Sequence, residues 1–235
     1  MRQKQRTKGS IAVDVLLLLI MCALYFVTNT QDAQTVMARA YYAPVYRGQA
    51  EDKAALQFEV SWNAAAIEPI LDTLKETGNH VTFAVSGQWA QANPALLVRM
   101  ASQGHEIATM GYDVAFDGRL SAVTEDVQRS MKIIEQLCGC PVRLYYSGDR
   151  DVAVSARAAK KAGLTQVLCT VDLMCARGSA EDIILRVSTD PIKGSIILAQ
   201  PTANAAAALG GIIAALDEKG LEVVRTSDVL QNGFF

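Results

Sequence analysis

The feature that most constrains this chain is an alternation of short apolar strands and amphipathic helices, which begins at residue 54 and continues almost to the end. In the first unit an apolar segment is followed by Ile67, Ile70, Leu71 and Leu74 at helical spacing. Strict alternation of this kind places parallel strands in one sheet with the helices outside it. About seven units predict an α/β fold, a TIM-like (β/α)7 barrel. The predicted strands are 54–60, 81–85, 106–109, 142–145, 166–171, 195–198 and 222–224.

The helices of this pattern have recognisable start and stop signals. Pro94 occupies a favoured first-turn position, and Ser179 with Asp182 forms a Ser-x-x-Asp helix start. A long helix is expected to begin after Thr124. The other helices are predicted from residue 67 to Gly78, and at 95–103, 152–162, 179–187 and 203–218.

A second feature is an apolar run from Ile11 to Val27, interrupted only by Asp14. As a helix it spans about 25 Å, near the lower limit for crossing a bilayer. Residues 1–10 contain four basic side chains and no acidic one, which predicts that they stay in the cytoplasm. The sequence therefore predicts a single-pass protein of the cell membrane. Its parts are a basic tail at 1–10, a transmembrane signal-anchor at 11–28, a linker at 29–53 and an extracytoplasmic domain at 54–235.

The apolar segment is either an uncleaved anchor or a signal peptide that is removed. Ala38-Arg39-Ala40 has the small-x-small pattern of a signal-peptidase site, although it lies far beyond the apolar run. An uncleaved anchor is therefore favoured.

Four of the five cysteines lie outside the predicted span and allow three disulfide pairings. Cys138 and Cys140 form either a redox or metal pair or, as favoured here, small core residues.

The charge balance excludes one class of partner. The chain carries a net charge of −2, and its basic N-terminal tail makes the remainder more acidic. A mildly acidic domain lacks the basic surface that binds nucleic acid.

Functional groups of such barrels lie on the loops that follow the strands. Both histidines lie elsewhere, because His80 and His105 each precede a predicted strand. They are therefore interpreted as structural residues at the N-terminal face.

Several motifs resemble those of the polysaccharide deacetylases, carbohydrate esterase family 4. Residues 81–90, Val-Thr-Phe-Ala-Val-Ser-Gly-Gln-Trp-Ala, are followed by Asn93-Pro94 and by Gly104-His105-Glu106-Ile107. These resemble the family's Thr-Phe-Phe-Val-x-Gly-x-Trp, Asn-Pro and Gly-His-Glu-Ile at the same spacing. Phe58-Glu59-Val60-Ser61-Trp62 is similar to the Phe-Asp-Ile-Ser-Trp of sporulation-associated members, and Tyr145-Tyr146-Ser147-Gly148-Asp149 to their Pro-Pro-Ser-Gly-Asp.

The resemblance implies a mechanism whose metal site this chain lacks. Family members hold a divalent metal such as zinc with one Asp and two His, beside a base Asp and an acid His. The metal positions fall on Val60, Met110 and Val114, which cannot coordinate a hard divalent ion. The base position falls on Glu59 and the acid position on Gln200. We therefore expect no metal cofactor.

Two other groups of residues follow the predicted strands. Aromatic side chains, which pack against sugar rings, predict a glycan-binding rim with Asp149. That rim comprises Trp62, Trp89, Tyr112, Tyr145 and Tyr146. Four carboxylates offer an alternative cation site, against the simpler interpretation of solvated loop acids. They are Glu59, Asp113, Asp149 and Asp172.

The sequence thus predicts a membrane-anchored, deacetylase-like pseudoenzyme that binds cell-wall glycan or a protein partner, with a role in sporulation implied by the resemblance. The alternatives are an active deacetylase of N-acetylated glycan with a rebuilt site, and an anchored interaction protein without a ligand.

Overall fold

The computed structural model describes residues 13, 15–25, 43–62, 64–189 and 193–230. The chain divides into two compact units, residues 1–43 and 44–235. In the first unit, residues 15–25 are helical with exposed side chains. Among the residues described, no helix has both the length and the hydropathy of a membrane span. Part of the predicted span 11–28 and much of the predicted linker lie outside the described residues, so both stay predictions.

The second unit confirms the alternation of strands and helices. The strands are β1 Lys53–Val60, β2 Thr82–Val85, β3 Glu106–Thr109, β4 Leu144–Tyr146, β5 Thr165–Val167, β6 Val171–Asp172, β7 Ile196–Ala199 and β8 Glu222–Val224. The helices are α1 Ile67–Thr77, α2 Gly87–Ala92, α3 Pro94–Ser102, α4 Leu120–Cys138, α5 Val152–Ala162, α6 Ala180–Thr189, α7 Ala203–Glu218 and α8 Thr226–Val229.

All named strands pair in parallel within one sheet. The order is β5-β4-β3-β2-β1-β7-β6, and β8 pairs with the first residues of β1. No ladder joins β5 to β6 among the described strands, so the sheet is a half-barrel, an incomplete form of the predicted TIM-like barrel.

The opening results from a break in one predicted strand. The sequence predicted a single strand at 166–171, but residues 168–170 separate β5 from β6. Their polar groups bond to a segment before β1 instead. Leu168 N donates to the Val45 carbonyl at 2.8 Å, and the Thr170 hydroxyl donates to the Tyr46 carbonyl at 2.6 Å. Part of the predicted linker therefore packs on the sheet.

Helix α4 also differs from its prediction, because it begins at Leu120 and not after Thr124. The Thr124 hydroxyl donates to the Leu120 carbonyl at 2.6 Å, which is a bond within a helix and not an N-terminal cap. The start at Ser179 is confirmed, since Ser179 and Asp182 bond each other's backbone N–H groups.

The strands separate two apolar layers. Phe58, Phe83 and Tyr145 belong to the layer between the sheet and the helices. Ala55 and Tyr146 belong to the layer inside the half-barrel. Because successive strand residues point to opposite faces, the two adjacent tyrosines lie in different layers.

Candidate functional site

A cleft of about 370 Å³ opens at the carboxyl ends of β1, β3 and β4. Loops after parallel strands meet at this edge, which explains why residues distant in sequence converge here. The lining mixes acidic, aromatic and apolar side chains. It comprises Glu59, Ser61, Trp62, Met110, Val114, Ala115, Phe116, Asp117, Ser147, Gly148, Asp149 and Arg150.

Glu59 is the carboxylate at the inner end of β1. Glu59 and Ala55 are four residues apart on the same strand, so their side chains point to the same side of the sheet. Ala55 lies in the inner layer, and Glu59 therefore faces the inside of the half-barrel. Burial raises the pKa of Glu59, and the charges of Asp172 and Asp149 raise it further. Side-chain hydrogen bonds with Gln200 and Tyr146 act in the opposite direction. Glu59 is thus a carboxylate that resists ionisation at the mouth of the half-barrel.

Gln200, where the resemblance implies the family's acid, makes hydrogen bonds with two neighbours. Its amide nitrogen donates to Asp172 Oδ1 at 3.1 Å, and its amide oxygen accepts from Cys175 N at 2.7 Å. A glutamine has no titratable proton, so Gln200 orients Asp172 rather than serving as a general acid. Asp172 also caps its own loop by accepting from Met174 N at 2.8 Å.

The predicted aromatic rim is only partly formed. Trp62 lines the cleft and is 86% exposed. Trp89 and Tyr145 are wrong as rim residues, because both are buried in the outer core layer. Tyr112 is half-buried beneath the guanidinium of Arg129, which lies 3.4 Å from the ring centroid.

Tyr146, the last predicted rim residue, is buried beside Glu59. Burial raises its pKa, and the charge of Glu59 adds to this effect. Phe116 lines the cleft but was missed by the sequence reasoning, since it follows no strand directly.

A buried ion pair holds the loop between β3 and α4 at the cleft. Arg150 contacts Asp126 at 3.4 Å, donates to the Tyr145 hydroxyl at 2.9 Å and bonds the Asp113 carbonyl. Asp126 also accepts from the backbone N–H groups of Tyr112 and Asp113 at 3.0 and 3.1 Å. Burial nevertheless raises the pKa of Asp126.

The loop approaches this pair closely through Gly111. Its φ is 85°, and a Cβ atom there would lie 2.4 Å from Asp126 Oδ2. Glycine is therefore required at this position. Sequence reasoning missed Asp126 because a single acid within an amphipathic helix is normally a solvated side chain.

The histidines lie at the opposite, N-terminal end of the strands, as predicted. His105 precedes β3, is buried and accepts from Val81 N at its Nδ1 atom. Burial lowers its pKa to about 4, and His80 contributes to the shift. Neither imidazole reaches the cleft lining.

Comparison with known proteins identifies the family. The model of the polysaccharide deacetylase family matches residues 47–167, more than half of the chain. This chain is a member of the polysaccharide deacetylase family.

Similar proteins include members with contrasting descriptions. The uncharacterized protein YlxY of Bacillus subtilis is 27% identical over 80% of this chain and 60% of its own length. The peptidoglycan-N-acetylmuramic acid deacetylase PdaC of the same organism is 33% identical over 41% of this chain and 22% of its own. Wild-type BA3943 of Bacillus anthracis, described as a CE4 family pseudoenzyme, has a TM-score of 0.76 at 24% identity. That match covers 80% of this chain and 69% of BA3943. A BA3943 mutant described as having restored enzymatic activity gives the same TM-score and identity, with coverage of 80% and 71%.

The residues at which the resemblance implies the family's metal ligands do not form a donor set. Met110 and Val114 line the cleft, but neither side chain is a ligand for a hard divalent ion. Val60 is fully buried in the outer layer and is not among the cleft-lining residues. Within the described ranges, no group of three His, Cys, Asp or Glu side chains is arranged to hold a metal. The acidic residues considered as an alternative cation site are therefore not gathered into one.

Proposed function

We propose that this chain is a membrane-anchored, extracytoplasmic member of the polysaccharide deacetylase family that binds cell-wall glycan without hydrolysing it. The observation that carries the proposal is the identity of the three metal positions, Val60, Met110 and Val114. In the family mechanism, the metal lowers the pKa of a bound water and polarises the acetamide carbonyl. The aliphatic and thioether side chains at these positions would not hold the metal, so neither the water nor the carbonyl would be activated.

The remaining carboxylate does not replace this chemistry. Glu59 keeps a basic group at the base position, but general-base catalysis contributes only about 10² to 10⁴-fold. Enzymes usually accelerate reactions by at least about 10⁶-fold. Gln200 supplies no general acid, because its amide has no titratable proton. The description of BA3943 as a pseudoenzyme gives a precedent for loss of activity on the same fold.

The cleft supports the binding part of the proposal. Trp62 presents an exposed indole beside the polar groups of Asp149 and Ser147. A flat apolar ring packs on the apolar face of a sugar, while neighbouring polar groups bond its hydroxyls. The name of PdaC, a peptidoglycan deacetylase, indicates a cell-wall glycan as the ligand class.

Glycan binding is tested with the full chain in detergent micelles and N-acetylated chitooligosaccharides, by calorimetric titration. The Trp62→Ala variant should lose about thirtyfold in affinity, since a tryptophan at the centre of a binding site contributes about 2 kcal/mol. Tyr46→Ala is the matched control, because Tyr46 is an exposed aromatic residue that does not line the cleft. Undetectable binding by the parent chain, or equal affinity of both variants and the parent, would reject glycan binding at this cleft.

The membrane anchor rests on the basic residues before Ile11 and on the apolar run after them. Protease added to intact protoplasts should digest the domain, because the positive flank keeps residues 1–10 inside. Complete protection of the domain until the membrane is permeabilised would reject this topology. The sporulation role implied by the resemblance stays a prediction.

The alternative function is an active deacetylase with a rebuilt site, which would use Glu59 and the neighbouring Asp149 and Asp172. The observation that favours this alternative is that the charges of Asp172 and Asp149 both raise the pKa of Glu59. Such an enzyme would release acetate from N-acetylated glycan, and the proposed pseudoenzyme would not.

A further inference from the structure

Two cysteines lie side by side at the end of α4. Cys138 is the last residue of the helix, and its sulfur lies 2.6 Å from that of Cys140. Non-bonded carbon atoms prefer separations of roughly 3.5–4.0 Å and sulfur is larger than carbon, so the two sulfurs are closer than ordinary packing allows. Both residues are partly exposed, which leaves them accessible to a reagent.

The backbone conformation at Gly139 places the two cysteines close together, and hydrogen bonds other than those of the sulfurs hold this conformation. Gly139 ends the helix in the left-handed conformation, with φ 69° and ψ 12°, and its N–H donates to the Glu135 carbonyl. The Glu135 carboxylate also accepts from Val142 N at 3.0 Å. The turn from α4 toward β4 is thus held by hydrogen bonds that orient both cysteines.

We propose that Cys138 and Cys140 are a modification site, at which an oxidising disulfide compound converts the two thiols into an intrachain disulfide. One thiolate attacks the disulfide of the oxidant and releases one thiol, which leaves a mixed disulfide. The second cysteine, as its thiolate, displaces the other half of the oxidant. Two protein thiols are oxidised, one external disulfide is reduced to two thiols, and the two protons pass to those products.

The environment of the pair makes this disulfide a cross-link rather than an exchange catalyst. Burial raises the pKa of Cys140, and the neighbouring Cys138 raises it further. A cysteine of a disulfide oxidoreductase has a lowered pKa, because the thiolate is the reacting species. Here the disulfide joins the end of α4 to the segment that leads into β4, whose Tyr145 and Tyr146 pack in the outer and inner apolar layers.

The other two cysteines of the domain are poorly placed to pair. Cys175 is buried in the outer layer, whereas Cys169 packs against the inner layer. The sheet lies between these layers. A bond between Cys169 and Cys175 therefore lacks the close approach that Cys138 and Cys140 have.

The test uses the full chain incubated with a mixture of reduced and oxidised glutathione, then denatured, alkylated with iodoacetamide and digested with trypsin. Cleavage after Lys132 and Arg143 releases peptide 133–143, which contains both cysteines of the pair. Cleavage after Lys161 and Arg177 releases peptide 162–177, which contains Cys169 and Cys175 and serves as the matched control.

Without reductant, peptide 133–143 should carry no alkyl group and should be lighter than the thiol form by two hydrogen atoms. After dithiothreitol it should carry two alkyl groups, while peptide 162–177 carries two in both samples. In the Cys138→Ser variant, Cys140 should become alkylated without reductant. Alkylation or glutathionylation of both cysteines in the unreduced parent chain, or a disulfide to Cys169, Cys175 or a second chain, would overturn the proposal.

Discussion

Replacement of Val60 by aspartate tests where the end of β1 directs its last side chain. Val60 is 0% exposed and packs in the outer apolar layer. Losing a fully buried valine costs about 1.5–3 kcal/mol, and an unsatisfied buried polar group adds about 1–3 kcal/mol. We therefore expect Val60→Asp to reduce the free energy of unfolding by about 4 kcal/mol. For a domain of this size, Tm should fall by about 8–16 °C.

The pH dependence of this loss has a definite sign. Burial should raise the pKa of the introduced carboxyl above its unfolded value of about 3.9. The penalty therefore grows as the pH rises through that value, because the unfolded chain gives up the proton more readily than the folded one. Thermal unfolding near pH 4 and near pH 7 should show a larger Tm difference from the parent at neutral pH.

Val114→Asp is the matched control for this substitution. Val114 is 40% exposed at the cleft, so the same change there should alter the free energy of unfolding by about 0.5 kcal/mol or less. A Val60→Asp variant as stable as the Val114→Asp variant would refute the placement of Val60 in the core. The side chain would then face the cleft, where the deacetylase family places its metal-binding aspartate.

Substitutions at three further positions address the titratable groups of the fold. Glu59→Gln should gain stability relative to the parent as the pH rises above about 4.5, because the raised pKa of Glu59 makes its ionisation unfavourable in the folded state, and urea unfolding across pH would detect this. Asp126→Ala should lower the free energy of unfolding in urea by about 3–5 kcal/mol, because it leaves Arg150 buried without its carboxylate. Asp126→Asn keeps an acceptor and should lower it less. Equal losses in the two variants would argue against the ion pair. The parent should lose stability as the pH falls from 6.5 to about 4, on the order of 3 kcal/mol, because buried His105 resists protonation, and a His105→Gln variant with the same pH profile would contradict that assignment.

The order of elements was predictable because each strand and helix carries its own periodicity. Helices 152–162 and 203–218 have the bounds that their apolar spacing and terminal residues indicate. The position of both histidines before strands likewise placed them at the N-terminal face. These features depend on local sequence, which a single chain records directly.

The departures from prediction depend on contacts between distant segments. The predicted strand 166–171 divides because Leu168 and Thr170 bond to residues 45 and 46, and no local pattern encodes that partner. Similarly, Asp126 becomes a buried anchor only because Arg150 lies opposite it. Hydrogen-bond partners far along the chain cannot be inferred from periodicity alone.

The site shows the same limit in its aromatic residues. Sequence order placed Trp89 and Tyr145 after strands, but Trp89 lies on α2 and packs in the core, and the Tyr145 ring faces the helices. A position at the end of a strand places a residue near the cleft. The direction of its side chain depends on the pleat and on the first turn of the following helix.

Acetate release by the full chain distinguishes a pseudoenzyme from an active deacetylase. N-acetylated chitooligosaccharide and peptidoglycan fragments would be incubated with the protein, with and without added zinc or cobalt, and free acetate measured over time. We expect no release above the protein-free control under any of these conditions, because Val60, Met110 and Val114 stand where the resemblance implies the family's metal ligands. Metal-dependent acetate release by the parent chain that is abolished in Glu59→Gln would contradict it and establish a rebuilt deacetylase site.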